Sequence, residues 1–451
     1  MAEEEKPAMT EKLANFIVRT ETQHIPTEMF EHAKIAFMDW LSVCIAGKDD
    51  PLVKKLISYT DMMGGHGQST VICDGSQRNV SDTALINGAT SHALDFDDTL
   101  VSFLGHPSVT VFPSVLAMCE WKQLSGRELL TAYLIGIQTG GTIGACASLD
   151  HYMAGWHATS TLGHFASAAA CARLLKLDTE KTQYALGIAG TQSSGLKRVF
   201  GTMCKPFHAG RSAQAGLFSA LMAENGFTSA KDILEGPHGF FEAFKGNVNP
   251  TILSFLGLGW DVVNLSQKYH ASCHATHSPI EASLEIVKTH HLSLKNIQSI
   301  MVRSSQLAID AAGNTAPKTG LEGKFSIPYC IANALIHGET GMQAFTDERV
   351  CASSIQALMK KISLELDEKK TGLEATVSIQ TKDFQEYSAD SDILQQTPPF
   401  DIKKARVQSK FNDLCAPVIG EKTTIAIAKD IDRLEDMNNM ADLMVPFRRN
   451  V

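Results

Sequence analysis

The sequence has no long uninterrupted apolar run, no dense block of basic residues and no closely spaced pair of cysteines. A membrane-spanning helix needs about 18 or more apolar residues in a row. Nucleic-acid and anionic-membrane surfaces need concentrated positive charge, whereas this chain has a formal net charge of −9. The N-terminus lacks the basic-then-apolar order of a signal peptide. These absences predict a cytoplasmic protein that binds neither nucleic acid nor membrane.

Ten cysteines are scattered through the 451 residues without any C-x-x-C spacing. Zinc knuckles and iron–sulfur clusters need closely spaced thiolates, so an iron–sulfur hydratase is disfavoured. Reduced and mostly buried thiols are expected instead. The G-x-x-x-x-G-K-[ST] spacing of a phosphate-binding loop is also absent. The sequence therefore carries no cysteine motif for zinc or an iron–sulfur cluster and no phosphate-binding loop.

Apolar residues recur with a helical period from about residue 8 to about residue 260. Thr27 is the predicted N-cap of one helix, and later segments rich in Ala, Gly and Ser predict helices packed closely in a bundle. After residue 262 the segments NIQSIMVRSS and GLEATVSIQTKDFQEYSAD alternate like strands. We therefore predict a mainly α protein with a large helical domain at 1–264, a smaller α+β domain at 265–395, and C-terminal helices at 396–451 that return to the large domain.

The stretch HALDFDDTLVSFLGHPSVT at 92–110 concentrates ionisable groups. On a helix that continues to residue 99, His92, Asp95 and Thr99 share one face, whereas Asp97 points elsewhere. A histidine and an aspartate at this spacing could ligate a metal, but no H-E-x-x-H pattern supplies further ligands. A capped helix end with solvated aspartates is the simpler alternative.

A second histidine, His106, lies just before the next predicted helix. Thr110 is the predicted N-cap of that helix, and Pro113 is predicted in its first turn. Backbone N–H groups gather at a helix start and favour anions there. His106 is therefore a candidate to bind or protonate a carboxylate, with a purely structural histidine as the alternative.

Two later segments carry cations in Gly- and Ala-rich surroundings, where an unpaired charge is costly. WHATSTLGHF places His157 at a helix start, and SGLKRVFGTMCKPFHAGRSAQAG contains Lys205 and Arg211. A solvated loop with capping cations is the alternative. Because cations hold carboxylates and histidines move protons, the set suits a small polycarboxylate substrate.

The segment QKYHASCHATH packs a lysine, a cysteine and three histidines into ten residues at the predicted domain junction. Cys273 with His274 or His277 would also suit a thiol nucleophile or a metal site. A cationic, proton-transferring segment headed by Lys268 is the more economical interpretation, since ligand sites form at domain junctions. LEGKFSIPYC adds Tyr329 as a phenolic donor.

These segments resemble a known family. HALDFDDT…GHPS, WHATSTLG, FGTMCKPFHAGRSAQAG, GFTSAKDILEG, KYHASCHATH and PKTGLEGKFSIPYC are similar to signature segments of the MmgE/PrpD family, in the family's order and over essentially the whole chain. Its members include 2-methylcitrate dehydratase, cis-aconitate decarboxylase and iminodisuccinate epimerase. The resemblance implies a large all-helical domain with an inserted smaller α+β lid domain, a homodimer, and metal-free, cofactor-free catalysis in the cleft between the domains.

The resemblance also implies roles for individual residues. Those matched to catalytic positions are Asp95, His106, His157, Lys205, Lys268 and Tyr329; the expected substrate-binding residues are Thr99, Arg211, His274 and His277. One position departs from the pattern, because Cys273 stands where the animal decarboxylase has a histidine five residues after the lid lysine. SCHATH is closer to the C-R-x-T-H form of many bacterial relatives, with His274 replacing the arginine.

Together these features predict a cofactor-independent lyase that acts on a citrate- or aconitate-like di- or tricarboxylate by proton transfer next to a carboxylate. Decarboxylation of cis-aconitate and dehydration of a 2-methylcitrate-like acid both fit. Epimerisation of an imino or amino dicarboxylate such as iminodisuccinate passes through a similar carbanion and stays open. A non-catalytic binding protein on the same scaffold is the alternative from another functional class.

Overall fold

The computed structural model describes residues 8–395 and 398–449, and over them the protein is mainly α-helical with a smaller α+β region. This confirms the predicted fold class. The chain divides into two compact units. Unit 1 comprises Met1–Gln267 and Val407–Val451, and unit 2 comprises Lys268–Arg406. Residues 396 and 397, where the third predicted segment starts, lie outside the described residues, as do 1–7, 450 and 451.

Over its described residues, the N-terminal part of unit 1 is built from helices joined by turns, with one short antiparallel ladder. The helices are α1 (Met9–Arg19), α2 (Thr27–Ala46), α3 (Pro51–Met63), α4 (Val80–His92), α5 (Ser108–Lys122), α6 (Gly126–Met153), α7 (Ala158–Leu174), α8 (Thr179–Gln192), α9 (Cys204–Glu224), α10 (Phe240–Phe244) and α11 (Pro250–Ser254). The ladder pairs β1 (Ser69–Thr70) with β2 (Gln77–Arg78), which the periodicity did not predict.

Glycines let α4 and α9 pack at short distance. A Cβ atom added to Gly88 would lie 2.7 Å from Cα of Gly210, and one added to Gly210 would lie 2.1 Å from the carbonyl oxygen of Leu85. No side chain fits at such distances, so both positions need glycine. The predicted close packing of small-residue helices is confirmed here, and it brings the start of α9 to the end of α4.

Helix α6 corrects the expectation that no segment could span a membrane. Within its 28 residues an 18-residue window reaches a mean hydropathy of 1.2, which meets that criterion by length and composition alone. However, 94% of the window is buried inside the protein. Such burial is typical of the core helix of a soluble fold.

Two predicted helix starts are shifted. Thr27 is the first residue of α2 rather than its N-cap. Helix α5 begins at Ser108, before Thr110, so Pro113 lies in the helix interior instead of the first turn. Pro107 explains the early start, because its restricted φ and missing N–H suit the beginning of a helix. The Thr110 hydroxyl donates to the Pro107 carbonyl instead.

Unit 2 packs helices on one face of a four-stranded sheet. Its helices are α12 (His277–Thr289), α13 (Gln306–Ala312), α14 (Gly320–Gly323), α15 (Ile327–His337), α16 (Asp347–Val350) and α17 (Ser353–Met359), and its strands are β3 (Ile297–Ser304), β4 (Ile362–Leu366), β5 (Ala375–Thr381) and β6 (Glu386–Ser391). The strand order is β4-β3-β5-β6, with β3 and β4 parallel and the other pairs antiparallel. The first predicted strand corresponds to β3. The second segment, predicted as one strand and a turn, forms β5 and most of β6, and β4 was missed.

The C-terminal segment forms α18 (Phe400–Ile419), α19 (Glu421–Asp432) and α20 (Ala441–Met444). Unit 2 ends inside α18, later than the predicted bound at residue 395. The prolines at 398 and 399 are followed at once by this helix, whose first turns belong to unit 2. There Arg406 bonds Glu281 and lies 3.9 Å from the ring centroid of Tyr269.

Candidate active site

The backbone turns sharply after α4, so the predicted helical face from residue 92 to residue 99 does not exist. α4 ends at His92. Asp95 has a φ of 52°, in the left-handed region that aspartate tolerates better than most residues. Spacing rules for a regular helix therefore fail beyond His92. The aspartates of the DFDD stretch diverge to different partners.

Asp97 lies between two imidazole rings, contrary to the expectation that it points away. Both of its carboxylate oxygens lie 2.9 Å from Nδ1 of His92, and Oδ2 lies 3.0 Å from Nδ1 of His106. The Asp97 side chain is only 1% exposed. Burial raises the pKa of Asp97, but the charges and hydrogen bonds of His92 and His106 outweigh burial and hold that pKa well below its usual range. Asp97 is therefore an ionised carboxylate that accepts a hydrogen bond from His92 and lies at ion-pair distance from His106.

Asp95 faces the opposite side of His106 and pairs with a lysine. Nζ of Lys205, in the first turn of α9, donates to Oδ1 of Asp95 at 2.7 Å. The same oxygen lies 3.9 Å from Nε2 of His106. The backbone N–H of His106 donates to the Thr159 hydroxyl, which ties the loop to α7. His106 thus has the Asp97 carboxylate near Nδ1 and the Asp95 carboxylate near Nε2. The Lys205 ammonium lies on the far side of Asp95.

His157, at the N-cap of α7, extends the row of imidazoles. Its ring stacks on His92 with centroids 6.2 Å apart, and its Nδ1 lies 3.0 Å from Nδ1 of His208 on α9. Phe200 packs edge-on against it at 4.8 Å. Burial, then the positive charge of Lys205, lowers the pKa of His157 well below its ordinary value. His157 is therefore neutral at pH 7.

His92 is also held neutral. Burial lowers its pKa to about 4 despite the neighbouring Asp97 carboxylate. Because the carboxylate can only accept, Nδ1 of His92 carries the hydrogen and Nε2 has a lone pair. That Nε2 is buried without a hydrogen-bond partner among the described residues. His92 thus acts as a neutral support for Asp97.

The ligand atoms of His92, Asp95, Asp97 and His106 lie within 4.8 Å of one another, a spacing that could also hold a metal ion. The chemistry of the set favours a proton-transfer site, because its carboxylates already bind groups within the protein. Asp97 accepts a hydrogen bond from His92 and lies 3.0 Å from Nδ1 of His106, and Asp95 accepts one from the Lys205 ammonium. A cation would have to displace that ammonium.

Two buried networks support the loop from behind. The Ser108 hydroxyl donates to Asp98 and contacts the Tyr133 hydroxyl at 2.8 Å. Burial raises the pKa of Asp98 to about 8, with a further contribution from Asp39. On α18, Nζ of Lys410 donates to Asp39 at 2.7 Å and to the carbonyl of Phe96 at 2.6 Å. The C-terminal segment therefore fixes the loop backbone between Asp95 and Asp97.

The structure places three of the predicted site residues as follows. Thr99 exchanges backbone hydrogen bonds with Ser266, two residues before Lys268 in the chain. Arg211 is exposed and donates to Gln214 on its own helix; after burial, its positive charge is one of the causes that lower the pKa of His164. Tyr329 lies in the hydrophobic core of unit 2, and its hydroxyl donates to the carbonyl of Ala344.

The histidine-rich segment of unit 2 is a packed cluster. The His277 ring lies 4.7 Å from that of His274 and 4.8 Å from that of His270, and all three residues are buried. Burial, then the charge of His274, lowers the pKa of His277 well below its ordinary value. Lys268 is 2% exposed. Cys273 is half-buried, and its N–H donates to the Lys324 carbonyl.

Sequence reasoning missed several members of this arrangement. Asp97 was assigned to the wrong side because regular helical spacing was assumed beyond His92. Lys410 carries no local signal, since its partners are hundreds of residues away in the chain. His208 lies in the KPFH segment but was not predicted as a site residue.

A surface cavity of about 680 Å³ near Cys146 and Lys245 includes none of the predicted site residues in its lining.

Comparison with known proteins identifies the family of the chain. The MmgE/PrpD N-terminal domain matches residues 11–253, and the MmgE/PrpD C-terminal domain matches residues 270–434. The chain is 26% identical to the cis-aconitate decarboxylase of Aspergillus terreus, with 97% of this chain and 96% of the relative covered. Identity to the mouse and human cis-aconitate decarboxylases is 25% and 24%, again over 97% of this chain and 92% and 94% of theirs. The chain belongs to the MmgE/PrpD family.

Proposed function

We propose that the protein is a lyase that removes a carboxyl group from a small aconitate-like tricarboxylate without a cofactor. The proposal rests on the surroundings of His106. Ionised Asp97 lies on one side of its ring, and the Asp95–Lys205 pair lies on the other. The similarity to cis-aconitate decarboxylases supports the choice of substrate.

The reaction needs one proton and one stabilised electron pair. When a carboxylate leaves as CO₂, the electrons of the broken C–C bond remain on the substrate carbon and must take up a proton. An imidazolium is the suitable donor near neutral pH. His106 fits this role because the Asp97 carboxylate stabilises a charged ring and fixes its orientation.

Lys205 supplies the cation for a substrate carboxylate. In the present structure its ammonium binds Asp95. A substrate carboxylate at the same ammonium would compete with Asp95, whose oxygen lies 3.9 Å from His106. Substrate binding would thereby change which groups Asp95 contacts next to His106. The family resemblance further matches Lys268 to a catalytic position and Thr99 to a substrate-binding one.

The test is incubation of the purified protein with cis-aconitate, 2-methylcitrate and iminodisuccinate under NMR observation. New vinylic CH₂ signals from cis-aconitate support the proposal. Loss of the carbinol from 2-methylcitrate, or deuterium uptake without net change of iminodisuccinate, would assign dehydration or epimerisation instead. Silence with all three substrates and folded protein would refute an enzyme of this class.

Variants separate catalysis from mere binding. Lys205→Ala and His157→Ala are expected to abolish turnover, whereas Lys231→Ala, at an exposed pair with Glu180, is the matched control and should retain it. Activity that survives exhaustive chelation supports the absence of a metal from the mechanism. Activity lost on chelation and restored by a divalent ion would contradict it.

A further inference from the structure

The pairing of His157 with His208 makes one imidazole dependent on the other. Their Nδ1 atoms lie 3.0 Å apart. A neutral imidazole has one N–H and one lone pair, so a hydrogen bond between two Nδ1 atoms requires that only one of them carry the hydrogen. The tautomer of each ring therefore dictates the tautomer of the other.

The surrounding backbone holds this pair tightly. The N–H of His157 donates to the carbonyl of Gly195 at 3.0 Å. Gly195 has a φ of 120°, and a Cβ atom there would lie 2.7 Å from Cβ of Ser160 and 3.3 Å from Nδ1 of His208. Only glycine accommodates this approach. The loop therefore limits how far the two rings can separate.

The two rings differ in how well they tolerate a positive charge. Burial and then Lys205 lower the pKa of His208. The pKa of His157 is lowered by burial, by Lys205, by His208 and by two imidazoles outside the pair, His92 and His106. A proton therefore costs less free energy on His208 than on His157. The ionisable groups around the pair are Lys205, His92 and His106, with His164 on the His208 side.

We propose that His208 is a positioning residue that fixes the tautomer of His157 and receives its proton. In the resting state Nδ1–H of His157 donates to Nδ1 of His208, which leaves Nε2 of His157 with a lone pair. When Nε2 takes the proton of a substrate carboxyl group, which must be ionised before CO₂ can leave, the Nδ1–H bond of His157 breaks and an N–H bond forms at Nδ1 of His208. His157 ends neutral, and His208 becomes the imidazolium.

The kinetic part of this inference rests on the proposed function, with cis-aconitate as the probe. His208→Ala is expected to lower kcat about 100-fold, the range of a lost acid–base function, with little change in KM. His208→Asn can still hydrogen-bond Nδ1 of His157 but cannot take the proton. Asn should therefore restore the orientation but not the full kcat, and the acid limb of its pH profile should move to lower pH.

His164→Asn is the matched control. His164 is as buried as His157, but its Nδ1 bonds the Ser160 carbonyl rather than an imidazole. The control should leave the acid limb of the pH profile in place. A kcat for His208→Ala within about threefold of wild type, or an equal displacement of the acid limb in His164→Asn, would overturn the proposal.

A measurement on the resting protein keeps the inference separate from the choice of substrate. With ¹⁵N-labelled histidine, we expect a scalar coupling between the two Nδ1 nitrogens, and a changed His157 tautomer signal in His208→Ala. If cis-aconitate is not turned over but the coupling is present, the proposed function fails and the pairing stands. Absence of the coupling in folded wild-type protein overturns the pairing itself.

Discussion

Replacement of Lys410 by Met should destabilise the protein strongly, because it leaves a buried carboxylate without its cation. The Lys410 and Asp39 side chains are 4% and 1% exposed, so solvent screens the pair little. Removal of one partner from a buried pair typically costs about 3–5 kcal/mol. The ammonium also donates to the Phe96 carbonyl, so the loop with Asp95 and Asp97 should loosen as well. We therefore expect lower stability together with lower kcat.

The Lys410–Asp39 pair as a whole contributes less to the free energy of unfolding than the removal of one partner would cost. Burial lowers the pKa of Lys410 and outweighs the attraction of Asp39, so desolvation consumes much of the Coulomb energy. The double variant Asp39→Asn with Lys410→Met should therefore recover much of the loss. In Lys410→Met alone, the buried carboxyl avoids its penalty by binding a proton. The folded state then holds a proton that the unfolded chain releases, so the defect should shrink as pH falls from 7 to 5, by at most about 1.4 kcal/mol per pH unit.

The assay is urea unfolding followed by circular dichroism at pH 7 and pH 5. Lys231→Met is the matched control, since Lys231 pairs with Glu180 in an exposed position where loss of the pair costs about 0–1 kcal/mol. A defect in Lys410→Met no larger than that of the control would refute the reasoning. So would a double variant as unstable as the two single defects added together.

Three further predictions concern the site and its support. Asp97→Asn should lower kcat for cis-aconitate by about 100-fold or more with little change in KM, because an amide cannot stabilise charged His106; an unchanged kcat would contradict this. With its pKa raised to about 8, folded Asp98 holds a proton that the unfolded chain loses above about pH 4. The stability of the wild type should therefore fall relative to that of Asp98→Asn as pH rises from 4 to 8. Urea midpoints that change in parallel for the two proteins would argue against this. Gly210→Ala should cost about 1–3 kcal/mol in thermal or urea unfolding through its clash with the Leu85 carbonyl, and wild-type stability would show that α4 and α9 separate freely.

Periodicity predicted the elements whose stabilising contacts are regular. The helical repeat identified the main helices of unit 1, and alternation identified β3 and the segment that forms β5 and most of β6. It missed β4, a five-residue strand with few buried positions, and β1 and β2, which have two residues each. Short elements owe their structure to partners elsewhere in the chain, so their own sequences carry little signal.

The sequence by itself determined the fold class, the family motifs and the principal ionisable groups, because these follow from residue type and local spacing. Only the tertiary structure decided how the groups pair. Asp95 has a left-handed φ, so regular helical spacing does not hold across this turn. As a result Asp97 lies beside His92 and His106 instead of facing solvent. Lys410 and His208 acquire their partners only through the packing of helices distant in the chain. Local periodicity describes one element at a time, whereas these contacts depend on where a second element brings its side chains.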